Sequence, residues 1–206
     1  MLGLLATAMA IGIGTGYAAG GSLPNMANVR VRWAPLLFCS LVVGVVPLLA
    51  DLDGGARFAI QMLSHAGLLV FFGVNIARAR AWLRIGFVVV AIGWALNVLA
   101  ISSNGGMPVS LWALERADIT EEFTPGTGSF FRVEPAGPHT NLRVLGDVIP
   151  IPHPFRQVIS IGDILLVGGI AMIVTAGMRA RLTRTLPHVV DLTLAEKLER
   201  ARLGID

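Results

Sequence analysis

Long windows without charged residues constrain this chain more than any other feature of its sequence. A helix needs about 20 mostly apolar residues to cross roughly 30 Å of hydrocarbon. Windows of about this length occur at residues 2–19, 34–50, 58–77, 81–101 and 158–178, with Arg84 and Asp163 near the start of the last two. Only 14% of the 206 residues are charged, whereas soluble domains have about a quarter. We therefore expect an all-α integral membrane protein with five transmembrane helices.

Basic residues concentrate on one side of the predicted membrane. Eleven of the 16 Lys and Arg residues lie after the first and third spans or in the C-terminal tail, and the other five share their side with eight acidic residues. Cytoplasmic loops are enriched in Lys and Arg. We therefore expect the N-terminus outside and the C-terminus inside a bacterial plasma membrane. This bias also explains the pI near 10.0, so no nucleic-acid partner is expected.

The spans divide the chain into four regions. Residues 1–101 form a four-helix membrane region, 102–157 a roughly 50-residue extracytoplasmic segment rich in Pro and Gly, 158–178 the fifth helix, and 179–206 a basic cytoplasmic tail. The tail suits anionic lipid headgroups. Thr193 and Glu196 have the spacing of a capping box, which predicts a short amphipathic helix.

Glycines repeat every four residues along the first span, at Gly12, Gly16 and Gly20. Small residues at this spacing let helix backbones approach closely in lipid. The stripe is interpreted as packing within the bundle, with a dimer or partner contact as the alternative. The span lacks the basic segment of a secretory signal peptide, so we expect it to be retained as a helix.

The outer segment opens with residues that force a turn, namely Asn104, Gly105, Gly106, Met107 and Pro108. Glycine permits positive φ, and proline fixes φ. Ser110 then predicts a capped helix to about Ala117. We expect its Leu111, Trp112 and Leu114 at the membrane interface.

The chain resembles a bacterial family of multi-pass membrane proteins that is known only as a domain of unknown function. The resemblance rests on N-G-G-M-P-V-S at 104–110, L-G-D-V-I-P at 145–150 and S-I-G-D at 160–163, together with the order of spans. It covers nearly the whole chain and implies a shared fold. It brings no known activity, so no catalytic residue is transferred.

Ionisable side chains suggest three candidate functional sites. Asp163 follows Ser160 at capping-box spacing, which favours a helix cap over an ion site. His65 lies within the third span, and we expect it to bond to Asn97 or Ser64 rather than to bind haem. His139, His153, Asp147 and Asp163 could supply metal ligands, but they lack a compact ligand spacing. Asp147 is therefore interpreted as tying down a turn, and we expect neither metal nor cofactor.

These features favour a non-catalytic accessory or structural subunit of a larger bacterial membrane complex, in contact with lipids and other membrane subunits. No catalytic or nucleotide-binding motif is present, so we do not expect an enzyme. The alternative is a small transporter or channel near the outer face, because glycine and proline interruptions can mark such sites. It would use Asp163, His65, Asn97 and the turn at 104–108. A membrane enzyme built on Asp147, His139 and His153 is a third possibility.

Overall fold

The computed structural model describes residues 2–50, 52, 54–126, 132–180 and 190–204, which are mostly helical. The helices are α1 (Leu2–Ala18), α2 (Ala34–Leu49), α3 (Gly54–Arg78), α4 (Ala81–Asn104), α5 (Leu111–Ala117), α6 (Ile161–Met178) and α7 (Val190–Leu203). The strands are β1 (Met107–Val109), β2 (Val133–Pro135), β3 (Ile149–Ile151) and β4 (Gln157–Ile159). Short 3-10 helices occur at Leu23–Asn28 and Arg143–Leu145.

Three of these helices are long and apolar enough to cross a membrane, at Gly55–Arg78, Ala81–Asn104 and Ile161–Met178. They correspond to the third, fourth and fifth predicted spans. α1 and α2 are also apolar but have only 17 and 16 residues, about 25 Å at 1.5 Å per residue. The described residues therefore contain three candidate membrane-spanning helices and two shorter apolar ones.

α1 packs closely along α6. Gly12 lies against Val174, and Gly16 lies against Met178. A Cβ atom at Gly12 would stand only 2.7 Å from the Val174 Cβ, so the contact requires glycine. The contacts follow the same order along both helices, which therefore run parallel. These two glycines pack within the chain.

Gly20 has a different role from the other two glycines of the predicted stripe. It lies beyond the end of α1 with φ 73°, and no neighbour lies within 4 Å of the position a Cβ would occupy. Its N–H donates to the Tyr17 carbonyl and that of Gly21 donates to the Gly16 carbonyl. These are the bonds of a helix-ending Schellman motif. The packing prediction for Gly20 is therefore wrong, because the helix ends before it.

α4 packs on the other side of α6 and runs antiparallel to it. Gly86 lies against Gly169, whereas Gly93, further along α4, lies against Gly162 near the start of α6. The two glycine pairs bring the backbones together at both ends of the contact. α6 therefore lies between α1 and α4.

α2 and α3 form an antiparallel hairpin. Gly44 of α2 lies against Ser64, and Gly67 of α3 lies against Ser40. The Ser64 hydroxyl donates to the Ser40 carbonyl at 2.7 Å. α3 and α4 share an apolar cluster of Leu68, Phe71, Phe72, Phe87 and Val90.

The described part of residues 102–157 folds over one end of α4 and α6. β1 and β2 pair in parallel, and β3 and β4 form an antiparallel hairpin. Arg156 in the hairpin loop pairs with Glu122 at 3.0 Å and with Asp118 at 3.5 Å. These strands depart from the all-α prediction, because single three-residue strands leave no clear periodicity in a sequence.

Two helix starts also differ from their predictions. α6 begins at Ile161 and not at 158, because residues 157–159 pair as β4. α7 begins at Val190, so Thr193 and Glu196 lie inside it and do not cap it. Residues 181–189 of the predicted basic tail lie outside the described residues.

Candidate functional site

The three family-like motifs meet where α4 ends and α6 begins. Val109 of the first motif forms a β-bridge with Asp147 of the second. The Asp147 N–H donates to the Pro108 carbonyl at 2.8 Å, and the Ser110 N–H donates to the Asp147 carbonyl at 2.9 Å. The first two motifs are therefore joined by backbone hydrogen bonds on both sides of Asp147.

The turn at 104–108 connects the end of α4 to later residues of the segment at 102–157. Gly105 ends α4 with φ 72°, a conformation that favours glycine. The Asn104 side chain bonds the backbone of Asn141 twice, accepting at 2.8 Å and donating at 2.9 Å. Gly106 lies against the Arg132 carbonyl, and Met107 and Pro108 are buried. All five predicted turn residues thus serve this junction.

Ser110 and the helix after it follow the predicted pattern, with one exception. The Ser110 hydroxyl accepts the Ala113 N–H, and α5 ends at Ala117. Leu111 and Trp112 are exposed, but Leu114 is buried. The interface prediction for Leu114 is therefore wrong, because this face of α5 packs against the hairpin of β3 and β4.

The third motif closes a buried polar network with α4. The Ser160 hydroxyl accepts the Asp163 N–H at 3.0 Å, and the Asp163 carboxylate accepts the Ser160 N–H at 3.0 Å. This is the capping box that their spacing predicts. Asn97 completes the network, donating to Asp163 at 2.9 Å and accepting the Ser160 hydroxyl at 2.9 Å.

The network is enclosed and internally satisfied. Ser160 is fully buried, and Asp163 is only 8% exposed. Its negative charge lies in the first turn of α6, where the helix dipole favours it. Gly162 leaves room for the Asn97 side chain, since a Cβ at this position would overlap the Asn97 oxygen. The arrangement joins α6 to α4 through hydrogen bonds at a buried contact.

Asp147 adds a second carboxyl group beside this network. Burial and, to a smaller extent, the negative charge of Asp163 together raise the pKa of Asp147 from 3.8 to about 8. Its Oδ1 atom is buried without a hydrogen-bond partner in the described part of the chain. The carboxyl is therefore protonated at neutral pH, which avoids placing two negative charges side by side.

His65 lies away from this site, within α3. Its ring meets Trp94 of α4 edge-on, with ring centroids 5.7 Å apart. Both predicted partners serve other contacts, since Asn97 bonds Asp163 and Ser64 bonds the Ser40 carbonyl. His65 thus joins α3 to α4 through an aromatic contact.

The four candidate metal ligands are not gathered into one group. Among the residues that the structure describes, no three His, Cys, Asp or Glu side chains lie close enough to hold a metal ion. His139 and His153 are exposed, whereas Asp147 is half-buried and Asp163 is buried.

Sequence reasoning missed the central role of Asn97 in the network. Asn97 is the only amide side chain in the apolar window 81–101. That isolation was a usable signal, since polar side chains in membrane helices commonly bond to a neighbouring helix. Its true partners, Ser160 and Asp163, could not be read from spacing, because they lie more than sixty residues along the chain.

Comparison with known proteins places the chain in a family. The family model for DUF5317, described as a family of unknown function, matches residues 28–175. No curated protein and no solved structure matches the chain. The matched region contains all three motifs and the whole polar network, and the expected resemblance is confirmed. Because the match covers more than half of the chain, this protein belongs to DUF5317, a family of unknown function.

Proposed function

We propose that the chain is a non-catalytic accessory or structural subunit of a larger bacterial membrane complex, and that its outer segment docks on a neighbouring membrane subunit. One observation carries this proposal. Large apolar side chains of the outer segment are 44–67% exposed, namely Leu111, Trp112, Leu142, Val144 and Phe155. Exposed apolar patches outside the hydrocarbon layer commonly mark interaction sites.

Helix directions support five crossings of the membrane. α1 and α6 are parallel and α4 is antiparallel to both, so α4 starts at the end of the bundle where α1 finishes. α2 and α3 leave this end and return to it as a hairpin. Because α3 is long and apolar enough to cross, its partner α2 crosses with it. This path brings the chain through the membrane five times, with the N-terminus and the outer segment on the same side.

The charge distribution supports placing that side outside. The connection from α1 to α2 carries Arg30 and Arg32, and the connection from α3 to α4 carries Arg78, Arg80 and Arg84 nearby. Both connections lie at the opposite end from the outer segment. Basic connections remain in the cytoplasm, so residues 102–157 face away from it.

The polar groups inside the helices support a structural role. Ser64 bonds the backbone of α2, and Asn97 bonds two residues at the start of α6. Asn75 donates to the Arg32 carbonyl and accepts its N–H, both at 2.9 Å. These groups are committed to holding elements of the chain together.

Removing exposed apolar groups from the outer segment is expected to weaken the complex. We expect Val144→Ala and Phe155→Ala each to reduce the amount of copurifying membrane subunit, with a loss of about 2 kcal/mol if the side chain is central to the interface. Leu63→Ala and Leu69→Ala are matched controls, because these α3 side chains are 65% and 63% exposed but face the hydrocarbon layer in the proposed topology. Native mass measurement in mild detergent provides the readout.

Two results would contradict the docking proposal. One is a native chain that is always a monomer without a copurifying subunit. The other is an equal loss of partner from the control variants in α3, because this would point to general destabilisation.

A small transporter or channel is the second candidate function. It is favoured by two neighbouring carboxyl groups, Asp147 and Asp163, beside the Asn97 amide at the outer end of α4 and α6. If this site conducts cations, Asp163→Asn is expected to abolish their flux into proteoliposomes, and His65→Ala to reduce it if the path continues inward. Glu121→Gln, which removes a carboxylate at an exposed position, serves as the control for loss of a negative charge. Flux that is unchanged in both site variants eliminates this mechanism.

A further inference from the structure

A small cleft opens at the end of the bundle where α1 and α6 finish. It is lined by Ala19, Gly20, Asn25 and Arg179 and has a volume of about 150 Å³. The position of a Cβ on Gly20 would be open space, so the cleft is accessible on this side. In the proposed topology this end faces the cytoplasm at the level of the lipid headgroups, and the inference rests on that topology.

The surroundings of the cleft are strongly basic. Arg179 is exposed and forms no ion pair with any residue in the described ranges. Residues 19–33 and 78–84, which lie at the same end, contain five arginines and no acidic residue. Such a surface attracts the anionic lipids of a cytoplasmic leaflet.

The helix ends around the cleft would normally oppose an anion, because the C-terminal end of a helix carries partial negative charge. Here several of these carbonyls are already bonded. The Met178 carbonyl accepts the Ser22 N–H at 2.9 Å and the Asn25 side-chain amide at 2.8 Å. The last carbonyls of α1 accept the N–H groups of Gly20 and Gly21. The exposed Arg179 guanidinium is the cationic group that a ligand would meet in this cleft.

We propose that this cleft binds the phosphate group of an anionic phospholipid, with Arg179 donating charge-assisted hydrogen bonds to the phosphate oxygens. The volume of about 150 Å³ is below the roughly 300–1,000 Å³ of pockets that enclose whole ligands. Only a headgroup enters it, and the acyl chains stay in the bilayer beside α1.

Lipid retention tests the proposal on the full chain. Native mass measurement compares micelles that contain phosphatidylglycerol with micelles that contain phosphatidylcholine. We expect preferential retention of phosphatidylglycerol, and a loss of about tenfold or more in Arg179→Gln, as for one charge-assisted contact. Arg84→Gln, which removes a charge at the same end, should retain the lipid. Ala19→Leu narrows the cleft without changing charge and should also lower retention.

The possible outcomes are distinct. Equal losses in Arg179→Gln and Arg84→Gln overturn the proposal, since they indicate a diffuse surface charge. Retention that is unchanged in Arg179→Gln and Ala19→Leu overturns it as well. Millimolar inorganic phosphate that displaces phosphatidylglycerol completely would indicate a site for a free anion and not for a lipid. A native chain that retains the lipid but has no copurifying subunit would count against the docking proposal alone. The two proposals can therefore fail separately.

Discussion

Replacing Gly162 by alanine is expected to separate α6 from α4 and to lower the free energy of unfolding by about 3 kcal/mol. The new Cβ would overlap the Asn97 side-chain oxygen and stand 2.7 Å from the Gly93 carbonyl oxygen. Asn97 cannot move aside without leaving Ser160 and Asp163, and the Gly93 carbonyl belongs to a helix backbone. The substitution therefore both overpacks the contact and breaks the buried network.

Gly168→Ala provides a matched control on the same helix. No atom lies within 4 Å of the position its Cβ would occupy, so this substitution should be neutral or slightly stabilising. Resistance to heating in detergent, read by the remaining folded monomer, compares the two variants. Equal stability of Gly162→Ala and the native chain would show that α4 and α6 do not approach as closely as described.

The contribution of Asp147 to the pH dependence of stability is expected to disappear in Asp147→Asn. The pKa of Asp147 is about 8 in the folded chain and 3.8 without burial, so the folded state holds a proton that the unfolded state releases. The stability contributed by the neutral carboxyl is therefore complete below about pH 4 and declines as the pH rises to about 8. The slope is at most about 1.4 kcal/mol per pH unit, because one proton is involved. Above about pH 8, the free-energy cost of burying the ionised Asp147 carboxylate no longer changes with pH.

The difference in stability that favours Asp147→Asn over the native chain should accordingly grow between pH 4 and pH 8 and then level off. Hydrogen exchange of the backbone amides in β1 measures this directly, since β1 is bonded to Asp147. Glu121→Gln removes an exposed acidic group and should leave the pH profile unchanged. A native chain whose outer segment is equally protected at pH 5 and pH 9 would contradict the burial of Asp147.

Local patterns predicted the parts of this fold that depend on neighbouring residues. The window at 81–101 predicts α4, because the length and hydropathy of this window suffice to indicate a helix. Ser110 and Ser160 mark helix starts because a capping side chain bonds within three residues of its own position. Gly12 and Gly16 mark a packing face, but the pattern does not name α6 as the partner.

Contacts between distant segments could not be predicted in the same way. The pairing of Val109 with Asp147 and the bonds of Asn97 to Ser160 and Asp163 depend on how the bundle closes. The spacing of Gly20 matched the packing stripe, yet the helix ends before it. The same spacing therefore has different meanings on either side of a helix end.

Labelling of single cysteines tests the proposed topology most directly. The native Cys39 is removed as Cys39→Ser, and Glu121→Cys and Ala27→Cys are made separately, since both positions are exposed and lie at opposite ends of the bundle. In intact spheroplasts, a membrane-impermeant maleimide should label Glu121→Cys at once and Ala27→Cys only after permeabilisation. Labelling of Ala27→Cys without permeabilisation, with Glu121→Cys protected, would reverse the orientation and contradict the account.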